Sequence, residues 1–454
     1  MIMKKFIIRY TNERLITPSG LSFVGAMVKN SGLVRECNRL TVSARRSQPQ
    51  IKSGDILLSY IGLLCQGKTE FEAVKEMNAD PDFFKMALGL KSGIPSPETL
   101  RQRMDYIGSS LRSTILRANV KMFQNYSMQP TPLDCGLIPV DIDVTPFDNS
   151  KTHKEGVSRT YKGYEGYAPM MAYIGTEGYA LNMELREGKQ HCQNHTPEFL
   201  EESLKLAHIM TNNQLLVRLD SGNDATVNMD LLINDGSWFI VKHKRRRNES
   251  EEMILNTVKK CCKNVSAPRE GKTVYIGSDW QTIHYKAEDK TEKELTLRLV
   301  YEVIERTIDK HGQINLIPDI TINTFWTNLD WSDEVIIDSY HKHGESEQFH
   351  SEIKTDMDVE RLPSGKFETN ELVLELTIIA YNILRMIGQY SLKSKKRPAE
   401  NKPVKRKRLR TVISTLIQFA SHIVEHGRQT ILSLGRSNIW RYVFGDIYDK
   451  FAMV

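Results

Sequence analysis

Leu137-Ile138-Pro139-Val140-Asp141-Ile142-Asp143-Val144-Thr145 reads as a β-strand with two acids set into it. Valine and isoleucine favour a pleated, half-buried surface. A carboxylate in such a run is costly unless it is paired or holds a cation. Side chains alternate across a strand, so Asp141 and Asp143 share a face and periodicity does not choose between them. A strand-end acid that merely caps a turn is the plainer alternative.

Downstream, residues 168–175 (APMMAYIG), 179–186 (YALNMELR) and 214–220 (QLLVRLD) read as further strands. Thr196-Pro197-Glu198 opens a helix to about Met210, with apolar residues at helical spacing. Residues 236–243 (GSWFIVKH) give another strand after a helix. Strands followed by alternating strand and helix predict an α/β fold, a mixed sheet covered by helices. From about Lys244 to Asn328 the pattern turns β-rich, as in KTVYIGSD, LTLRLVYEVI and INLIPDITINT. Two long helical stretches then follow, Asp333–Asp358 and Glu368–Tyr390. Upstream, residues 1–130 read as mostly helical, through DILLSYIGLLCQ (55–66) and a stretch around Glu70–Met77. Ser96-Pro97 has the chemistry of a helix start, and Arg101 and Arg103 follow it. That helix reads equally as a DNA-recognition helix or as an ordinary packing helix. The expected division is a helical domain at 1–130, the α/β domain at 131–392 interrupted at about 244–328, and a basic, helical tail at 393–454. TVISTLIQFASHIV (411–424) reads as an amphipathic core helix within that tail.

A second acid, Asp220, ends the run Leu215-Leu216-Val217-Arg218-Leu219 and is followed by Ser221-Gly222. The carboxyl end of a strand is a usual place for a ligand, although aspartate also suits such turns. The third segment is Tyr340-His341-Lys342-His343-Gly344-Glu345-Ser346-Glu347, continuing to Lys354. On a regular helix Tyr340, His343, Glu347 and Lys354 fall within roughly 60° of one another. A tyrosine, a possible cation, a carboxylate and a lysine make an unusual core stripe, and a solvated charged face is the alternative. Three acids from separate elements suit the cutting and joining of phosphodiesters. Two Mg²⁺ ions ~3.5–4 Å apart need several carboxylates to hold them.

The spacing Tyr-x2-Arg-x3-Glu-x6-Lys is met here at Tyr340, Glu347 and Lys354, with His343 where arginine is usual. In this the chain resembles DDE transposases of the insertion-sequence-four superfamily. YHKHGESEQFHSEIKTDMDVERLPS, DIDVTPFDNS, RLDSGND and the basic tail beginning KRLRT are similar to the insertion-sequence thirteen-eighty family. The resemblance runs from about Pro139 onward and more loosely through the helical part before it. It implies an RNase H-like core with Asp143, Asp220 and Glu347 as catalytic metal ligands. Asp143 is preferred because Asp143-Val144-Thr145 matches the family's Asp-x-Thr. Two Mg²⁺ ions per site are implied, with Mn²⁺ as a substitute. So are double-stranded DNA partners (terminal inverted repeats and target) and a homodimer on paired ends. His343 departs from the pattern: unlike arginine, a histidine can be neutral near pH 7, so a phosphate contact there is weaker or pH-dependent.

The formal net charge is +6, but the cations cluster. Lys393, Lys395, Lys396, Arg397, Lys402, Lys405, Arg406, Lys407, Arg408 and Arg410 share one segment with the single acid Glu400. Pro398 and Pro403 interrupt its first part. Such a run predicts salt-sensitive phosphate contact. Tyr340, His343 and Lys354 are the expected DNA contacts near the acids. Lys242–Arg247 forms a second basic run, and Trp326 and Trp331 are read as core residues with base stacking as the alternative. Six cysteines without metal-site spacing read as free thiols in a reducing cytoplasm. MIMKKFIIRY is too short an apolar run for a signal peptide, and no run reaches the ~18 residues of a membrane span. The expected setting is the cytoplasm of a bacterium, at the nucleoid. Two other functions fit the same residues: a relic that binds repeats as a repressor without cutting, and a host-adopted nuclease that cuts without joining.

Overall fold

Strand β1 (Ile138–Val144) forms over the acid-bearing stretch. In this computed structural model the described residues are 6–40, 49–247, 249–286, 291–309, 311–399 and 404–453. Glu400, Lys402 and Pro403 of the basic segment lie outside them. The chain divides into two compact units. One comprises Ser127–Lys354 and Ser364–Ile378, the other Met1–Tyr126, Thr355–Pro363 and Ile379–Val454.

In the first unit β1 is followed by β2 (Met170–Ile174), β3 (Tyr179–Glu184), helix α1 (Thr196–Met210) and β4 (Leu215–Leu219). Helix α2 (Thr226–Asp235) and β5 (Trp238–Lys242) come next. The strands lie in the order β3-β2-β1-β4-β5. β1, β4 and β5 are parallel, while β2 and β3 run antiparallel to their neighbours. The β-rich stretch extends this same sheet. Helix α3 (Glu251–Cys261) precedes β6 (Cys262–Arg269), β7 (Lys272–Lys286), β8 (Glu292–Ile308) and β9 (Ile314–Thr327). These four form an antiparallel meander, and β9 pairs with β5 to complete nine strands.

Both faces of the sheet are covered over its central strands, while the far ends of β7 and β9 stand exposed. Helix α4 (Asp333–His341) lays Ile336 and Ile337 against Leu216, Ile240, Val300 and Phe325, all buried. On the other face Asn182 of β3 donates to Ser203 of α1 at 3.2 Å. Leu→Ala changes in such a cluster cost about 2–5 kcal/mol.

Asp333–Asp358 does not form one regular helix. After α4 come a tight 3₁₀ turn (Lys342–Glu345), helix α5 (Ser346–Ser351) and a wider π turn (Glu352–Asp356). Each change of winding shifts the following side chains, so the simple helical face drawn through Tyr340, His343, Glu347 and Lys354 does not hold. π turns inside helices are frequent at functional sites.

The second unit contains helices Leu21–Ser31, Leu33–Leu40, Ser53–Leu64, Pro81–Leu88, Pro97–Ile107 and Arg112–Asn125. Ser96 caps its helix as expected, accepting from the Thr99 amide with Pro97 at the first position. Arg103 of that helix is buried and donates to Ser53. The carboxyl-terminal part is not wholly helical. Leu409–Ile417 is helical, but Ser421–His426 and Gln429–Leu434 form a hairpin that pairs with Arg14–Ile16. The expected helix at 411–424 therefore stops near Gln418. Ser421 and Ile423 are buried in strand-like alternation, and their partner strand lies some 400 residues away, where local periodicity does not reach. Helix Arg441–Ala452 packs Phe444 on Phe23, with ring centroids 5.0 Å apart.

Candidate active site

The register between β1 and β4 separates the two acids of the first strand. Asp141 stands opposite Arg218. Both are buried, and the guanidinium grips the carboxylate with two bonds of 2.6 and 2.7 Å. The remaining guanidinium nitrogen donates to the Ser339 carbonyl at 2.7 Å, which ties the strands to α4. His343 Nδ1 closes on the same carboxylate at 2.9 Å. Burial opposes ionisation of Asp141, but Arg218 and His343 outweigh it and hold the group at about 2.

Asp143 lies two residues on, on the same face, and is only partly buried. Its carboxylate accepts the Val144 amide at 2.7 Å and pairs with no arginine among the described residues. Burial and then the charge of Asp220 push its pKa up to about 6. Asp220 follows the end of β4, beside the end of β1. Its Oδ1 accepts from the Gly222 amide at 3.2 Å and the Asn223 amide group at 2.7 Å. Burial raises its pKa too, against the His343 charge and these bonds.

Glu347 is exposed on α5, and its charge is one of those that raise Asp143. Helix α5 is fixed from beneath by Phe349, whose ring sits 5.1 Å from that of Tyr173. Gly178, at φ +67°, makes room for this ring: a Cβ there would stand 2.1 Å from it. Beside Phe349, buried His350 places Nδ1 3.9 Å from Asp143 Oδ2, and burial lowers its pKa to about 3. Tyr340 packs between Phe325 and His343, at 4.7 and 5.5 Å. Lys354 donates to the Pro146 carbonyl at 2.6 Å, with its ammonium 5.6 Å from the Phe147 ring centre. Asp143 and Asp220 thus stand side by side at the ends of β1 and β4, His343 closes on the neighbouring Asp141, and Glu347 is near enough for its charge to act on Asp143, while Tyr340 and Lys354 make packing and backbone contacts of their own.

Arg218 and His350 were not singled out in the sequence. Arg218 carries a signal in retrospect, a cation inside an apolar strand that calls for a buried acid. His350 carries none, because a histidine between Phe349 and Ser351 on a short helix has no distinguishing spacing.

The basic segment belongs to the other unit. Lys395 and Lys405 are exposed, and Arg406 is half-buried. Lys396 pairs with Asp446 at 2.6 Å, and Arg397 donates to the Leu392 carbonyl at 2.6 Å. Arg408 pairs with Asp356 at 2.8 and 3.0 Å. Lys407 is buried with its ammonium 3.7 Å from the centre of the Trp440 ring, so it serves the fold and presents no charge to solvent. Trp326 is buried, with its indole nitrogen 3.0 Å from His243, and Trp331 packs against the sheet core.

Among the described residues no three acidic, histidine or cysteine side chains already stand close enough together to hold a metal ion. The donor chemistry nevertheless fits a hard cation. Asp143 and Asp220 are oxygen donors whose charges are poorly neutralised by the protein, and Glu347 is an exposed carboxylate on α5.

That unneutralised charge has a measurable sign. Asp143 is raised from 3.8 to about 6, so the fold prefers its protonated form. The resulting penalty is absent below the unfolded pKa, grows as pH rises through 4 to 6, and is complete above. In EDTA at pH 7.5, Asp143→Asn is expected to melt a few degrees above wild type. The gap should close as pH falls to 4. Equal melting at both pH values would mean that Asp143 feels no such strain.

No helix among the described residues is long and apolar enough to cross a membrane. No curated protein matches the chain. Among solved structures it is similar to a cryo-EM structure of the piggyBac transposase synaptic complex with hairpin DNA. The identity is 11%, with 88% of this chain and 80% of that chain covered, at a TM-score of 0.40. The family model described as Transposase DDE domain group 1 matches residues 3–454. With that match running along the whole chain, the protein belongs to the Transposase DDE domain group 1 family.

Proposed function

We propose that this transposase binds the terminal inverted repeats of an insertion sequence and catalyses metal-dependent cleavage and strand transfer, in cut-and-paste fashion. The observation that carries the reading is the pair Asp143 and Asp220 at the carboxyl ends of adjacent parallel strands, with Asp141 withdrawn into an ion pair. The strand order β3-β2-β1-β4-β5 supports an RNase H-like core, with acids on the first strand, after the fourth and on a later helix. The motif around Glu347 supports membership of the insertion-sequence-four superfamily, near the thirteen-eighty branch.

In this reading Asp143, Asp220 and Glu347 hold two Mg²⁺ ions, replaceable by Mn²⁺. The ions, when bound, activate the attacking oxygen and neutralise charge on the leaving one. The chain's own residues prepare the place. Arg218 and His343 keep Asp141 ionised and out of the site. The Asn223 and Gly222 donors fix one oxygen of Asp220, leaving the other to face a ligand. Phe349 seats the helix that carries Glu347. Tyr340 shields this arrangement from one side, and Lys354, held over Phe147, borders the path of the DNA backbone. Lys395, Lys396, Arg397, Lys405, Arg406 and Arg408 add phosphate contacts whose strength falls with salt. Two protomers hold two ends, at the bacterial nucleoid.

The test is an excision assay with a marker placed between the inverted repeats that flank the gene. Wild type should excise and insert the marker, with short target duplications at the new site. Glu347→Gln, at equal protein level, should do neither while still binding the repeats. Repeat binding by both proteins with no cutting by either would transfer the reading to a repressor. Cutting without insertion would transfer it to a nuclease.

A further inference from the structure

The connection from β1 to β2 folds into a small three-stranded sheet of its own. Phe147–Asp148 pairs with Glu165–Tyr167, which pairs in turn with Ser158–Arg159. Its packing leaves no freedom at Gly166, where a Cβ would stand 1.9 Å from the Phe147 carbonyl oxygen. From this sheet a short turn projects. The Thr160 amide donates to the Tyr164 carbonyl at 2.8 Å and the Gly163 amide to the Thr160 carbonyl at 2.9 Å. Two tyrosines tie the turn back to the end of β1. The Tyr164 hydroxyl donates to the Pro146 carbonyl at 3.2 Å, and the Tyr161 hydroxyl to the Val144 carbonyl at 3.3 Å.

Val144 is the residue after Asp143, so Tyr161 is moored by its hydroxyl beside the candidate cutting centre. Burial of that hydroxyl and the charges of Asp143 and Asp220 all push its ionisation upward. The ring, by contrast, is open: Tyr161 is 69% exposed, and Lys162 and Gly163 beside it are exposed as well. A largely exposed tyrosine tethered at its polar end, next to two carboxylates, suits a planar ligand that arrives from solvent. A nucleic-acid base has such a face, and the neighbouring lysine suits its phosphate.

We propose that Tyr161 stacks on a base next to the phosphodiester that is cut, with Lys162 on an adjoining phosphate. The assignment rests on the reading of Asp143 and Asp220 as the cutting centre. It adds a contact that positions the DNA end, and Tyr161 donates no proton to the reaction. Stacking of this kind tolerates any base, so it sets where the strand lies and not which sequence is chosen.

The probe is a duplex carrying the terminal repeat, with 2-aminopurine placed in turn at each position flanking the cut. Fluorescence is read on the bound DNA in EDTA, where no cleavage occurs, so the measurement does not depend on an active enzyme. Wild type, Tyr161→Phe and Tyr161→Trp should quench one position adjacent to the cut, and Tyr161→Ala should not. In Mg²⁺ the same alanine variant should raise KM for end cleavage on the order of 10-fold, with phenylalanine close to wild type. Circular dichroism melts of all four proteins guard against misfolding. Equal quenching by wild type and Tyr161→Ala would overturn the proposal. So would a phenylalanine variant as impaired as alanine, since the hydroxyl tether and not the ring would then be what matters. Quenching that depends on Tyr161, in a protein that never cleaves, would uphold the stacking contact and overturn the cutting centre instead.

Discussion

Asp220→Asn is expected to lower strand cleavage by at least about 10²–10³-fold, the scale set by loss of one well-placed electrostatic partner of a reacting group. The substitution is chosen for what it keeps. The side-chain oxygen of asparagine still accepts from the Gly222 amide and the Asn223 side chain, so the turn after β4 should survive. What disappears is one negative charge next to Asp143, whose pKa should fall as a result. In metal-free protein the variant should therefore be no less stable than wild type. Cleavage of a labelled repeat duplex in Mg²⁺, beside a thermal melt in EDTA, reads both halves. Retained cleavage in a correctly folded variant would remove Asp220 from the centre.

The largest stability effect is expected at Arg218. Replacing it with methionine leaves Asp141 buried with only His343 to face it, and breaking a buried pair from one side costs about 3–5 kcal/mol. For a unit of this size the melting temperature should fall by roughly 10 °C. Removing both charges together, Arg218→Met with Asp141→Leu, should recover most of that loss, because an apolar replacement of the whole pair is often neutral. Differential scanning calorimetry of wild type, both single variants and the double variant makes the comparison. A double variant as unstable as Arg218→Met would show that the pair contributes shape and not charge balance.

These two acids illustrate how far the residues could be read in one dimension. Strands β1, β4 and β5 were legible because runs of Val, Ile and Leu between turn residues have few other fates. That Asp141 and Asp143 share a face was legible from alternation. Their different surroundings were not, because these depend on which residue of β4 stands opposite each of them. Register between strands 77 residues apart leaves no trace in periodicity. The region around Glu347 shows the same limit on a helix: the spacing put Tyr340, His343, Glu347 and Lys354 on one face, yet the 3₁₀ and π turns rearranged how they face one another. The carboxyl-terminal hairpin was hidden for a third reason. Its partner, Arg14–Ile16, lies at the opposite end of the chain, so a locally plausible helix yielded to a distant strand.

The spacing of Asp141 and Asp143 also bears on how the protein assembles without error. A slip of β1 by two residues along β4 would leave every apolar side chain on its proper face. It would also carry Asp141 to where Asp143 belongs, so hydrophobic pattern alone does not reject the mistake. The ion pair does. After such a slip Pro139 would stand opposite Arg218, and a buried guanidinium would face a ring that accepts no hydrogen bond. Arg218 thus acts as a key cut for one position of the lock, and by pairing with Asp141 it sets which acid of β1 stands beside Asp220.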